Sequence, residues 1–590
     1  MTDISIGRHA LRASLLRRNG AKHPHPAMLL RFLQVLATLA VFARAAAPQI
    51  KLGRTTLTGR DLTGLKVDFF GGIPYAEPPL GNLRLRPPVL KTTLDVDTLD
   101  ASNFGKGCLQ PTTSATEFSE DCLTINVFRP SGISSNAKLP IELTHSAKLF
   151  WTYGGGFQTG ESSLFNGSLI VAQSVARGTP LIYVNYNYRL GPLGFPQGRE
   201  AAQRGELNLA LRDQLAALEW VQANIGTFGG DKEKVTVFGE SAGAVMTAVL
   251  FMNSPLEKLA RAAILESGSP ATASEFNSTR RQIDWENFVA AVPSCSSLAR
   301  TDNTFDCLRE KANSTEMLSG VNNAISQAPE EFAFDPTVDG PGGLLPVLPS
   351  NILEHGTFAK LPFIAGTNLD EGTIFIPQTT ISEADLRAAL IFNLTPPLVP
   401  EANLQFTVDR ILELYPDDPV VGSPFNTGND TFGMPGFKRA AAIFGDHAFQ
   451  SQRRVWSQAA ARFGVKTFGY YFTQPQPTNP PFFGVSHASE LDFVYGVPPT
   501  TSDNAVQLSR MMVDYWVSFA TSLDPNDGKG TQRPLWPQYT TENQVLLQLN
   551  GLNMTVIPDT YRKEQIDFIN SDPLVWHHRR SLSFARRSKD

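Results

Sequence analysis

With 590 residues the chain is long enough to bury a large core, and by length alone it could hold three or four domains. Charged residues make up 18%, the net charge is −5, the pI is near 6.0 and no basic stripe is present, which speaks against a nucleic-acid partner. Gly (46) and Pro (42) are spread without a repeat or a low-complexity block, as in a loop-rich enzyme and unlike a helical bundle.

Residues 28–47 read as a secretory signal. Arg31 gives the positive start, residues 32–42 a short apolar core, and Ala43-Arg44-Ala45 a small-x-small cleavage site. That core is too short to cross a bilayer, so no membrane span is expected. The 27 residues before Met28 carry Arg8, Arg12, Arg17 and Arg18. They read as an Arg-rich transit segment or as an upstream over-extension of the reading frame, with Met28 as the start. Residues 1–47 are thus an extension plus signal, and the mature protein is expected to be extracellular and to begin near Ala46.

Cys108, Cys122, Cys295 and Cys307 form two close pairs without metal-ligand spacing. In an oxidising compartment the natural bridges are Cys108–Cys122 and Cys295–Cys307, each closing a loop of about 15 residues for about 3 kcal/mol in the chain-entropy model. Six N-x-S/T sequons, at Asn166, Asn277, Asn313, Asn393, Asn429 and Asn553, agree with secretion.

Residues 71–88 are too rich in Pro and Gly for regular structure, and residues 119–128, SEDCLTINVF, end in an apolar strand. Residues 149–156, LFWTYGGG, read as a strand running into three glycines. Glycines there let backbone N–H groups face a ligand, which makes Gly155 and Gly156 candidate oxyanion donors. Residues 181–188 read as another buried strand and 209–225 as a long helix. Residues 234–238, KVTVF, are a further buried strand, and the small apolar run from Ala242 is a helix. Between them Gly239-Glu240-Ser241-Ala242-Gly243 fits G-x-S-x-G. Glycine at both flanks allows a sharp turn that lifts Ser241 Oγ to the positive end of the helix, with Ala242 N–H as a third oxyanion donor. Residues 262–265 read as the next strand. Strand and helix alternate, which predicts an α/β fold with a mostly parallel sheet and helices on both faces.

A serine hydroxyl needs a base within hydrogen-bond reach, and after such an elbow the acid and then the histidine follow in the chain. His355, His447, His487, His577 and His578 remain after Ser241. His577 and His578 sit in a basic tail and His355 in a helix-end phrase. His487 follows the strand-like residues 467–472 through a loop and is a candidate base, which position alone does not single out. A short strand at 363–365 leads into GTNLDEG, where Asp370 and Glu371 both qualify as the acid.

The ordered blocks GIPYAEPP with Leu83-Arg84, EDCLTINV, YGGGF, LRDQLAALEWVQANIGTFGGDKEKVTVFGESAGA, NLDEG and HASELDFVYG resemble the type-B carboxylesterase/lipase family of α/β-hydrolases, which also holds the cholinesterases. The resemblance runs over about residues 50–539. It implies one α/β-hydrolase catalytic domain over residues 48–590 instead of the several that length allowed. By the same matching, His487 is the base and Glu371 the acid, Glu240 and Ser267 support the triad, and Arg84 and Glu120 form a buried ion pair. The implied reaction is hydrolysis of a small-molecule ester through an acyl-enzyme on Ser241, with no metal or organic cofactor; no oligomeric state is read. An ordinary histidine pKa would put the acid loss of activity near pH 6 to 7.

The chain also departs from these relatives. Lipases of the family carry a long loop with an amphipathic lid where this chain has the thirteen residues between Cys108 and Cys122, with only Leu109 and Phe118 as large apolar groups. That favours a carboxylesterase for soluble esters, with an interfacial triacylglycerol lipase as the alternative. A non-catalytic binding protein is opposed by the presence of Ser241, Glu371 and His487. The loop has no Trp to hold a quaternary ammonium, which argues against choline esters. Residues 142–148, ELTHSAK, interrupt a strand that would otherwise read LPILFWTYGGG, and are read as a gene-model error more than as a bulge at the strand's outer end. Phe157, Phe332 and Phe334 are candidates to line the acyl or alcohol pocket.

Overall fold

The computed structural model describes residues 47–112, 118–132, 146–273, 277–328, 330, 332–393 and 401–576. The extension and signal, residues 142–145 of the insert, the side chain of Asn393 and the tail with His577 and His578 lie outside them.

Eleven strands make the main sheet: β1 (Arg60–Leu62), β2 (Val67–Pro74), β3 (Thr124–Pro130), β4 (Ser146–Thr152), β5 (Leu181–Tyr186), β6 (Gly230–Glu240), β7 (Ala262–Glu266), β8 (Phe363–Asn368), β9 (Thr467–Phe472), β10 (Val545–Leu549) and β11 (Thr555–Pro558). Their order across the sheet is β11-β10-β9-β8-β7-β6-β4-β5-β3-β2-β1. From β10 to β5 all neighbours are parallel. Antiparallel pairs lie only at the two ends. The central strands are buried along their whole length, for example LIYVNY in β5 and AAILE in β7, which is why they read as unbroken apolar runs and not as alternation. β6 is longer than its apolar run because it starts in the polar GDKEK, where the sequence carries no strand signal.

Parallel strands bring their carboxyl ends to one edge. In register, Gly239 lies beside Thr152, Glu240 beside Glu266, and Glu266 beside Gly366. The segments that leave β4, β6, β7, β8 and β9 therefore emerge together, which is where ligands of open α/β sheets bind. Helix α1 (Leu209–Asn224) precedes β6 and α2 (Ala242–Asn253) follows it. The small residues of α2 let it press on β4: a Cβ on Gly243 would stand 2.0 Å from the Thr152 carbonyl oxygen.

Ser146, Ala147 and Lys148, from the segment read as foreign, begin β4 instead of bulging from its end. Lys148 lies between Ile182 and Val235, with no exposed surface and, among the described residues, no hydrogen-bond partner for its Nζ. Burial lowers its pKa to about 7.

A second apolar cluster stands apart from the main core. It is built from residues between Ile376 and Tyr415, from α3 (Phe437–Gly445) and from the C-terminal Ile569, Val575 and Trp576. A π-helical turn, Asp446–Gln450, links α3 to α4 (Ser451–Arg462). Cys108 is bridged to Cys122 and Cys295 to Cys307. Arg84 and Glu120 form a buried two-bond pair (Nε–Oε2 2.6 Å, Nη2–Oε1 2.8 Å), and Arg84 also donates to the Ala312 carbonyl (2.8 Å). Asn166, Asn277, Asn313, Asn429 and Asn553 are exposed. Among the described residues no helix is long and apolar enough to cross a membrane.

Candidate active site

Ser241 stands at the turn from β6 into α2 with φ 52° and ψ −126°, a backbone shape that side chains other than glycine rarely take. Its N–H donates to the Glu266 carbonyl (2.8 Å), which ties the turn to the next strand. The flanking glycines are needed sterically: a Cβ on Gly239 would stand 2.8 Å from the Gly243 carbonyl carbon.

His487 is buried, and its Nδ1 is 2.6 Å from Glu371 Oε2. The other Glu371 oxygen accepts from Ser267 Oγ (2.6 Å) and from Asn368 N–H (2.7 Å). Glu371 thus faces the imidazole with its second oxygen already fixed. Asp370 faces away and accepts from Ser423, Phe425 and Val485. On the opposite edge of the ring, His487 Nε2 lies 3.1 Å from Glu240 Oε1, in the residue before Ser241.

Gly155 and Gly156 have φ of 98° and 60°, values that favour glycine. Gly156, Ser241 and Ala242 line one cavity of about 50 Å³. Gly154, which sequence reasoning passed over, is the tightest of the three against the elbow. A Cβ there would stand 2.6 Å from Glu240 Oε2 and 2.8 Å from Ser241 Cβ.

The cavity wall is aromatic. Phe157 and Phe332 line it, as the sequence suggested, whereas Phe334 is fully buried and is not among its lining residues. Phe375, Phe444 and Phe449 complete the wall and carry no signal in the sequence. Phe375 and Phe449 also lie 5.1 and 4.7 Å from the His487 ring, so the imidazole and the Ser241 cavity share the same two neighbours. Phe449 sits on the π-helical turn, a feature often found at functional sites.

Two further acids stand behind the histidine. Glu490 Oε2 accepts from Asn368 Nδ2 (2.6 Å) and Glu266 Oε1 from Trp516 Nε1 (2.6 Å). Glu490 could have been found, since it falls within the HASELDFVYG block. Burial pushes Glu240 up to about 8 and Glu490 to about 7, and holds Glu266 well above its ordinary value. Burial alone would lower His487, but the carboxylates of Glu240 and Glu371 outweigh it and raise the imidazole to about 9. The expectation of an ordinary histidine pKa therefore gives way to a raised one. His447 and His355 lie elsewhere, against the Trp576 and Asn351 carbonyls.

A nucleophile elbow on a parallel sheet, beside a histidine held by a glutamate, defines an α/β-hydrolase of the serine type. The sequence model of the Carboxylesterase family matches residues 46–569, so the chain belongs to that family. It is an ester hydrolase of the carboxylesterase/lipase kind. "Lipase 2" of Geotrichum candidum is 34% identical over 92% of this chain and 98% of its own length. "Secreted lipase 1" of Botryotinia fuckeliana (strain B05.10) is 34% identical over 89% of this chain and 93% of its own length. Among solved structures, Aspergillus niger EstA aligns with a TM-score of 0.76 at 26% identity, over 90% of this chain and 99% of that one. A structure titled PNB esterase aligns with a TM-score of 0.70 at 27% identity, over 88% of this chain and all of that one.

Proposed function

We propose that the chain is a secreted carboxylic-ester hydrolase that works through an acyl-enzyme on Ser241, with the catalytic unit over residues 48–590 and the preceding segment removed on export. The reading is carried by the 2.6 Å contact of Glu371 with His487, whose Nε2 lies 3.1 Å from Glu240, the residue that precedes Ser241 in the strained elbow. His487 takes the proton of Ser241 as Oγ attacks the ester carbonyl, and Glu371 stabilises the imidazolium. The N–H groups of Gly155, Gly156 and Ala242 receive the oxyanion. The alcohol leaves with the proton from His487, and water then releases the acid by the same steps in reverse. Exposed sequons and two bridged cysteine pairs suit an extracellular protein. Labelling by a fluorophosphonate, with hydrolysis of p-nitrophenyl butyrate, is expected in the wild type and lost in Ser241→Ala. Persistence of both in the variant would remove the reading.

The short Cys108–Cys122 loop favours soluble esters. The lipase alternative draws on the relatives, among them one named secreted triacylglycerol lipase LIP1 of Gibberella zeae. Rates on tributyrin below and above its solubility limit separate the two. A rate that follows monomer concentration is expected, and a jump at emulsion formation would make the protein a lipase.

A further inference from the structure

Asp370 is buried next to the acid of the triad and has no part in the ester-cleaving steps. Its Oδ1 accepts from Ser423 Oγ (2.9 Å) and from Phe425 N–H (2.8 Å), and its Oδ2 accepts from Val485 N–H (2.9 Å). Its own N–H donates to the Val485 carbonyl (2.9 Å), and Asp370 is bridged in parallel to Ser486. The segments that carry Glu371 and His487 are thus zipped together in the residues just before each of them.

One more tie joins the two loops, from Thr373 Oγ1 to the Phe483 carbonyl (2.7 Å). A cavity of about 660 Å³ opens there, lined by Asp370, Phe425, Gly484 and Val485 among others. Val485 and the His487 ring pack on the inner side of this loop, and on its open side the hydrogen bonds to Asp370 hold it to the acid-bearing loop. The space before Val485 is also reserved: Gly484 has φ +59°, and a Cβ on it would stand 2.4 Å from Asp370 Oδ2. The carboxylate occupies the place where a side chain would be.

We propose that Asp370 is a positioning residue, fixing the register between the acid-bearing and histidine-bearing loops so that Glu371 Oε2 meets His487 Nδ1. The proposal rests on the assignment of Ser241, Glu371 and His487 as the catalytic triad. It is a matter of geometry: a misplacement of about 1 Å among reacting groups can cost about 100-fold in rate.

Two variants disturb the zip from opposite sides. Asp370→Asn keeps the shape but turns one acceptor oxygen into a donor that faces other donors. Gly484→Ala places a methyl group against Oδ2. Steady-state kinetics on p-nitrophenyl butyrate are normalised to sites titrated to completion with a fluorophosphonate, so that unfolded protein is not counted. In both variants kcat is expected to fall about 10- to 100-fold, with KM within about two-fold of wild type. Unchanged kcat per titrated site, with only a lower unfolding temperature, would make Asp370 a structural tie and overturn the proposal. Labelling that survives in Ser241→Ala would instead remove the assignment beneath it. The two failures are distinct, because the second is read with Asp370 intact.

Discussion

At Ser241 the chain holds a conformation that costs about 1–3 kcal/mol, and the reason lies in its neighbours. Gly154, Gly239 and Gly243 let backbone and carboxylate crowd around one hydroxyl. The elbow and the histidine were legible because their chemistry demands particular residues at fixed places. The aromatic wall was not, since Phe375, Phe444 and Phe449 look like any core residues until the fold brings them together. Asp370 and Glu371 are chemically equal as residues; the family resemblance points to Glu371, and it is Glu371 whose side chain meets His487 Nδ1. Glu371→Gln is expected to lower kcat about 10³- to 10⁴-fold, since an amide cannot hold the imidazolium. A larger loss in Asp370→Asn would reverse the two roles. Glu240 offers a test with a sign. Its carboxylate raises the His487 pKa, and the free imidazole is the working form. In the wild type the acid limb of kcat/KM should therefore lie above pH 6.5. Glu240→Gln removes one carboxylate and should move that limb to lower pH; a shift to higher pH would mean that Glu240 is not what raises the imidazole.

Among the elements, the strands of the sheet centre could be read in advance because both faces are buried, so the whole run is apolar. β6 runs beyond its apolar stretch at both ends, and β4 begins in residues whose polarity reads as an interruption. In β4 the discord is physical, for Lys148 is a buried amine between Ile182 and Val235 with no acceptor among the described residues. Its pKa is depressed below the ordinary lysine value, so the unfolded chain holds the proton more tightly than the native one. The penalty is then full below about pH 7 and fades as pH rises toward 10.5. Lys148→Met is expected to stabilise the protein by about 1–3 kcal/mol at pH 6, and by less at pH 10. Urea unfolding at the two pH values measures it, and a variant less stable at both would show that the amine is satisfied after all. Removing residues 142–148 would set Ile141 in the same place, and that shorter chain should unfold at a higher temperature than the full one. A lower midpoint would mean that the segment stabilises the strand it begins.

Across the whole molecule, long-range ties hold the N-terminal part to the helical part. Arg84 and Glu120 meet far from either end, with Ser314 donating to Glu120 (2.7 Å) and Ala312 accepting from Arg84. Their pairing came from family resemblance, since two charges 36 positions apart say nothing by themselves. Glu120→Ala leaves the guanidinium buried and unpaired, and is expected to cost about 3–5 kcal/mol in urea unfolding. A change under about 1 kcal/mol would place the pair on a yielding surface. The strand order has one more consequence. Gly155 and Gly156, Ser241, Glu371 and His487, the groups proposed to act together, enter the chain in that sequence but come to one edge of the sheet only when it is finished. A ribosome that has already made Ser241 has not yet made His487, so a half-built chain carries a hydroxyl no sharper than that of any other serine. On the proposed reading, ester cleavage has to wait until the chain has passed His487 and the sheet has closed around it.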